Sequence, residues 1–173
     1  SSNVLASEVG VGILQQGGNA IDAAVAVGFT LAAVHPGAGN IGGGGFMVIR
    51  FKDGTTTSID FRETAPGLAN KDMFLDNQGE VIKGKSWQSA LAVGTPGTVA
   101  GLGYVHEKYG TQSWYRLLQP AIKLARYGYK IDYLNLSLLN NNYYREFLSN
   151  DVESKKIFYK KNGFKLGDLF VQR

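Results

Sequence analysis

At 173 residues, 44% hydrophobic and 18% charged, the chain can bury a sizeable core and fits one soluble domain or a piece of a larger one. It has no cysteine, which excludes disulfides, zinc thiolate sites and thiol catalysis within it. The net charge of +4 is uneven: residues 1–97 carry 6 Lys/Arg against 8 Asp/Glu, and residues 98–173 carry 12 against 6. A basic half of this size fits a solvated lysine face better than a nucleic-acid surface.

The chain opens on Ser1 and Ser2 with neither an initiator methionine nor a signal peptide, so a fragment or a processed subunit is expected. Residues 4–16 carry apolar side chains at a helical period, and Gly17 and Gly18 suit the left-handed end of that helix. Asn19 can cap the next one. Residues 20–34 are alanine-rich and apolar nearly all round, with Asp22 near the start. They are too short for a comfortable membrane span, and the pattern predicts a central buried helix ended by His35 and Pro36.

A glycine run follows, and then "FMVIRF", which predicts a strand over residues 46–51. Lys52, Asp53 and Gly54 form a hairpin turn signal, and residues 55–61 are the expected antiparallel partner. Residues 65–89 read as loop, with one helical turn near residues 71–75. Gly94-Thr95-Pro96-Gly97 reads as a tight turn, with Thr98 capping a helix that runs to about Lys108 and is closed by Gly110. Two helical pieces are expected over 113–118 and 120–127, because a proline suits a first helical turn. Residues 132–148 read as one further helix. The segment "KKIFYKK" (155–161) alternates basic and apolar residues, as an edge strand guarded by lysines would. The tail mixes short strands and turns.

Gly37-Ala38-Gly39-Asn40-Ile41-Gly42 spells G-x-G-x-x-G, and Asp60 follows at about the distance of a dinucleotide site's acidic residue. The order of elements excludes that reading. A dinucleotide site needs a helix N-terminus after the glycines to hold the pyrophosphate, and here helix precedes and strand follows. The run also lacks the Lys-Ser/Thr ending of a phosphate loop. Four consecutive glycines imply bare backbone against which another element or a ligand must sit; the spacing leaves both open. His35 suits a helix C-terminal cap rather than a base, and His106 falls on an expected exposed helix face. With two histidines and no cysteine, a histidine-rich metal site is excluded. Arg62, between Asp60 and Glu63 at the end of the second strand, carries a planar fork that can grip a carboxylate. Spacing alone favours a salt-bridge role.

Longer motifs carry more. "GGNAIDAAVAVGFTLAAVHPGAGNIGGGGFMVIR", "IDFRETAP", "GTPGTVAG" and "QPAIKLARYGY", in this order, resemble the γ-glutamyltransferase family over nearly the whole chain. The least motif-like part is residues 132–165. The resemblance implies an α+β fold, the N-terminal portion of an N-terminal nucleophile hydrolase αββα sandwich, with residues 1–173 as an incomplete domain at the front of the large subunit. It implies a precursor that cleaves itself, a small subunit as partner, and a threonine nucleophile at that subunit's new N-terminus. No catalytic residue is therefore expected in this chain. The implied reaction is attack on the γ-glutamyl amide of glutathione, an acyl-enzyme, and transfer to water, an amino acid or a peptide. Arg62 matches the family's arginine that binds the glutamyl α-carboxylate. Asp60 and Glu63 are expected to hold Arg62 or its loop, and Thr95 and Thr98 to serve the turn and the cap. No metal or organic cofactor, no nucleic acid and no membrane span are implied, and the family's bacterial members place the protein in the periplasm or outside the cell. A cephalosporin-type acylase, a capsule-polymer γ-glutamyl transferase, or a non-catalytic paralogue stay open as alternatives.

Overall fold

The computed structural model describes residues 1–172. The chain forms two compact units, one from residues 1–40 and 105 onward, the other Ile41–Tyr104.

In the first unit, helices α1 (Val4–Gln15) and α2 (Ala20–Val34) pack together, and α2 also packs on α5 (Trp114–Tyr127). Both starts are capped: the Asn19 side chain accepts from Ile21 and Asp22, as the sequence predicts, and that of Asn3, which the sequence reading did not name, from Leu5 N–H. Asp22 returns the favour by accepting from Asn19 N–H at 2.9 Å, closing a reciprocal capping box. Its carboxylate is fully buried and also accepts from Thr111 N–H, Thr111 Oγ1–H and Gln112 N–H. One side chain thus starts α2 and pins the loop leading into α5. Burial by itself would raise its pKa, but the hydrogen bonds outweigh burial and hold it below the ordinary carboxylate range.

The expected break before Pro120 does not occur. Ser113 caps α5 at Arg116 N–H, and one helix runs through Pro120. The proline leaves the Arg116 carbonyl without its helical donor. Leu117 and Ala121, buried on either side, and the edge-on contact of Trp114 with Phe29 at 5.2 Å hold the continuous helix on its partner. Packing overrides the local breaker.

The expected single helix over 132–148 is two, α6 (Tyr133–Leu139) and α7 (Asn142–Ser149). Asn140 ends the first, and its side chain donates to Phe164 O at 2.9 Å and accepts from Phe164 N–H at 2.8 Å, in the manner of a paired strand residue. Asn141 caps the second by accepting from Tyr143 and Tyr144. Replacing Asn140 by alanine removes both bonds to the tail, and a loss of about 2 kcal/mol is expected, read as a lowered urea midpoint.

The lysine-rich segment is helical, not an edge strand: α8 spans Val152–Phe158 and is capped by Asp151, which accepts from Ser154 N–H at 2.7 Å. Helical geometry brings Ile157 and Phe158 onto the core and leaves the lysines outside. Two-residue strands β3 (Tyr129–Lys130) and β4 (Leu169–Phe170), unnamed by the pattern because they are so short, pair antiparallel beneath it. Phe170, 1% exposed, has the rings of Tyr129, Phe158 and Phe164 at 5.7, 5.8 and 5.7 Å. Tyr129 is buried with its hydroxyl unpartnered, and burial together with Asp132 raises its pKa.

The second unit is built on the predicted hairpin. β1 (Phe46–Arg50) and β2 (Thr56–Asp60) pair from Phe46↔Asp60 to Arg50↔Thr56. The Asp53 carboxylate takes the N–H and hydroxyl of Thr55 to tie the turn. Residues 65–84 are mostly turns, with a bridge between Leu75 and Val81. A short helix, α3 (Lys85–Gln88), and a 3-10 turn (Ala90–Ala92) then precede α4 (Thr98–Tyr109). Thr98 is the first helical residue rather than its cap. The cap is main chain: Gly97 and Thr98 N–H donate to the Gly43 carbonyl at 2.8 and 3.0 Å.

Candidate functional site

Arg62 follows the last residues of β2 in a segment whose backbone is held on both sides. The ladder extends one pair beyond the strands, with Phe61 N–H on Gly45 O at 3.0 Å and Gly45 N–H on Phe61 O at 3.4 Å. Two residues later Thr64 and Thr95 exchange both backbone bonds, at 3.3 and 2.8 Å. Asp60 bridges the interval: its Oδ1 accepts from Arg62 N–H at 2.9 Å. Asp60 therefore holds the local loop, one of its two expected roles, through the backbone.

The side chains do not form the salt bridge that the spacing favours. Arg62 and Glu63 are both exposed, and among the described residues the Arg62 guanidinium has neither an ion pair nor a hydrogen bond. A rigid backbone thus presents an uncommitted planar fork. It stands at the rim of a cleft of about 440 Å³, whose wall includes Thr64, Pro66, Met73, Phe74 and Val93. An arginine so held can take a carboxylate with two parallel hydrogen bonds.

The glycines of the opening run serve this segment. A Cβ on Gly44 would stand 2.6 Å from Phe61 O, 2.7 Å from Arg62 Cα and 2.7 Å from Glu63 N. One on Gly45 would meet the Phe61 ring at 3.0 Å. From the other side, a Cβ on Gly97 would collide with the Phe61 carbonyl, one on Gly101 with the Phe61 side chain, and one on Gly94 with Glu63 Cβ at 3.0 Å. Glycines from two separate stretches, 44–45 and 94–101, surround residues 61–63. Of the two readings the run left open, close backbone packing is the one found. Gly97 and Gly101 were missed by the sequence reading, which assigned "GTPGTVAG" to a turn and a cap.

The histidines lie in the first unit. His35 is the C-cap residue of α2, as expected, and its Nδ1 is buried without a partner. His106 is not on an exposed face: it is half-buried, its Nε2 lies 2.7 Å from the Gln112 carbonyl oxygen, and its ring is 5.2 Å from Trp114.

Residues 6–173 match the model of the gamma-glutamyltranspeptidase family. The chain belongs to that family. A glutathione hydrolase proenzyme of Escherichia coli K12 is 53% identical over 99% of this chain and 30% of that protein, and one of Bacillus subtilis 168 is 41% identical over 100% and 30%. Among solved structures, the Helicobacter pylori gamma-glutamyltranspeptidase superposes with a TM-score of 0.93 at 52% identity, over 99% of this chain and 49% of that one. The transpeptidase CapD of Bacillus anthracis follows at a TM-score of 0.73 and 33% identity. The chain spans about a third of the curated γ-glutamyltranspeptidase relatives it matches.

These likenesses place the fold in the α+β N-terminal nucleophile hydrolase class and account for its look: the sequence supplies helices and the first strands of a larger architecture. Val48 and Phe46 on β1 are 79% and 63% exposed. Among the described residues no helix is long and apolar enough to cross a membrane.

Proposed function

We propose that the complete protein is a γ-glutamyltransferase and glutathione hydrolase, cut from one precursor into two subunits, with this chain as the N-terminal segment of the large one. Arg62 binds the α-carboxylate of the γ-glutamyl group. The observation that carries this reading is the exposed, unpaired Arg62 guanidinium on a backbone fixed at Phe61 and Thr64 beside the cleft. The match to proenzymes named for glutathione hydrolysis supports it.

Anchoring the α-carboxylate sets the distance from Arg62 to the γ-amide, so one arginine fixes where the reacting carbonyl lies. A threonine at the small subunit's N-terminus attacks that carbonyl, its own α-amino group taking the hydroxyl proton. Backbone N–H groups stabilise the oxyanion, and the remainder of glutathione leaves as the protonated amine. Water, an amino acid or a peptide then attacks the ester and frees the threonine. No metal or organic cofactor enters the scheme, and the protein works in the periplasm or outside the cell.

The complete protein is expected to run as two chains on a denaturing gel and to release glutamate from glutathione. A single uncut chain that releases none overturns the proposal and favours a non-catalytic relative.

A further inference from the structure

We infer that Gly44, Gly94, Gly97 and Gly101 are positioning residues for the arginine: they let two stretches of chain, residues 43–45 and 94–101, close around residues 61–63 and thereby fix where the Arg62 fork points. The inference rests on the carboxylate-binding role of Arg62 proposed above. It follows from how many independent contacts converge. A methyl on Gly44 would push on the Phe61 carbonyl, the Arg62 Cα and the Glu63 nitrogen together. One on Gly97 would strike the same carbonyl from the α4 end, and one on Gly101 the root of the Phe61 side chain. The cage is closed by hydrogen bonds that leave it little slack: Gly43 O takes the Gly97 and Thr98 N–H groups, Gly45 pairs with Phe61, and Thr95 with Thr64.

A backbone fixed before and after Arg62 leaves only the side-chain torsions free, so the ordering cost of gripping a carboxylate is small. A methyl on Gly44 or Gly97 must displace main chain, one on Gly94 or Gly101 presses on the Glu63 or Phe61 side chain, and close-packed surroundings pass the displacement to Arg62. Gly42, in the same run, has no atom within 4 Å of a Cβ and belongs to no such contact.

The test is a set of single substitutions in the complete, self-cleaved protein, with KM and kcat measured on γ-glutamyl p-nitroanilide. Gly44→Ala is expected to raise KM about tenfold with kcat changed far less, because the ground-state grip is what moves. Gly94→Ala, whose methyl comes no nearer than 3.0 Å to Glu63 Cβ and 3.4 Å to Thr64 O, folds more readily and is expected to raise KM about threefold. Gly42→Ala is expected to leave both constants unchanged. Each glycine variant is then repeated in an Arg62→Ala background, where a residue acting through Arg62 adds nothing further. The inference is overturned by folded Gly44→Ala or Gly94→Ala protein with unchanged KM, by an equal rise with Gly42→Ala, or by the same rise with and without Arg62. Failure of the underlying reading shows separately, as an Arg62→Ala protein whose KM does not move.

Discussion

Arg62→Ala in the complete protein is expected to raise KM for a γ-glutamyl anilide about 100-fold, because a two-pronged, charge-assisted contact contributes roughly 3 kcal/mol. Self-cleavage is expected to proceed normally, since it needs no free glutamyl group. Arg62→Lys separates charge from geometry. A lysine keeps the positive charge but offers a point donor in place of a fork, and should recover about tenfold of the loss. A substrate analogue lacking the α-carboxylate, such as a 4-aminobutyryl anilide, should be indifferent to both changes. The structure makes the expectation sharper than the motif alone does. Because no acceptor among the described residues engages the guanidinium, removing it strands no carboxylate among them, and the effect falls on the ligand. An unchanged KM in the alanine variant would sink the assignment.

Much of the fold was legible because local signals agreed. The hairpin carries a D-G turn between β-branched runs, and α2 carries an Asn cap at one end and His-Pro at the other; both were found within a residue of their observed bounds. Errors fell where distant residues decide. Pro120 is a breaker locally, yet α5 continues because Leu117 and Ala121 are buried beside it. The lysine segment alternates like a strand, but Asp151 nucleates a helix that lets two adjacent apolar residues, Ile157 and Phe158, reach the core. The break in the 132–148 helix had a signal that could have been used, the Asn140-Asn141-Asn142 triplet, since asparagine competes with helical bonding. The carboxylate-binding assignment of Arg62 comes only through the resemblance. Spacing favoured an ion pair; in the structure Asp60 Oδ1 instead accepts from the Arg62 backbone N–H. The glycine cage was out of reach for a different reason: Gly44, Gly94, Gly97 and Gly101 meet residues 61–63 only after folding.

Asp22 sets the second large effect. Asp22→Ala is expected to destabilise the protein by about 3 kcal/mol, because a helix cap is lost and the N–H groups of Asn19, Thr111 and Gln112 lose their buried acceptor together. Asp22→Asn is the more telling variant. It keeps the volume but has one acceptor oxygen and an NH₂ that would face donors, so it recovers little. The pH dependence follows from the carboxylate alone. Its folded pKa lies below the ordinary aspartate value, so its contribution is fully present above the unfolded pKa of roughly 3.9 and disappears as pH falls through the folded value. The stability difference between the natural protein and Asp22→Asn should therefore hold steady at neutral pH and narrow below about pH 4. Urea unfolding of both proteins at pH 7 and pH 3 measures it, and a difference that stays constant across that range would show that Asp22 acts by shape and not by charge. The same carboxylate joins the start of α2 to the loop that begins α5, so its protonation loosens two helix ends at once. Acid unfolding of the first unit is expected to begin there.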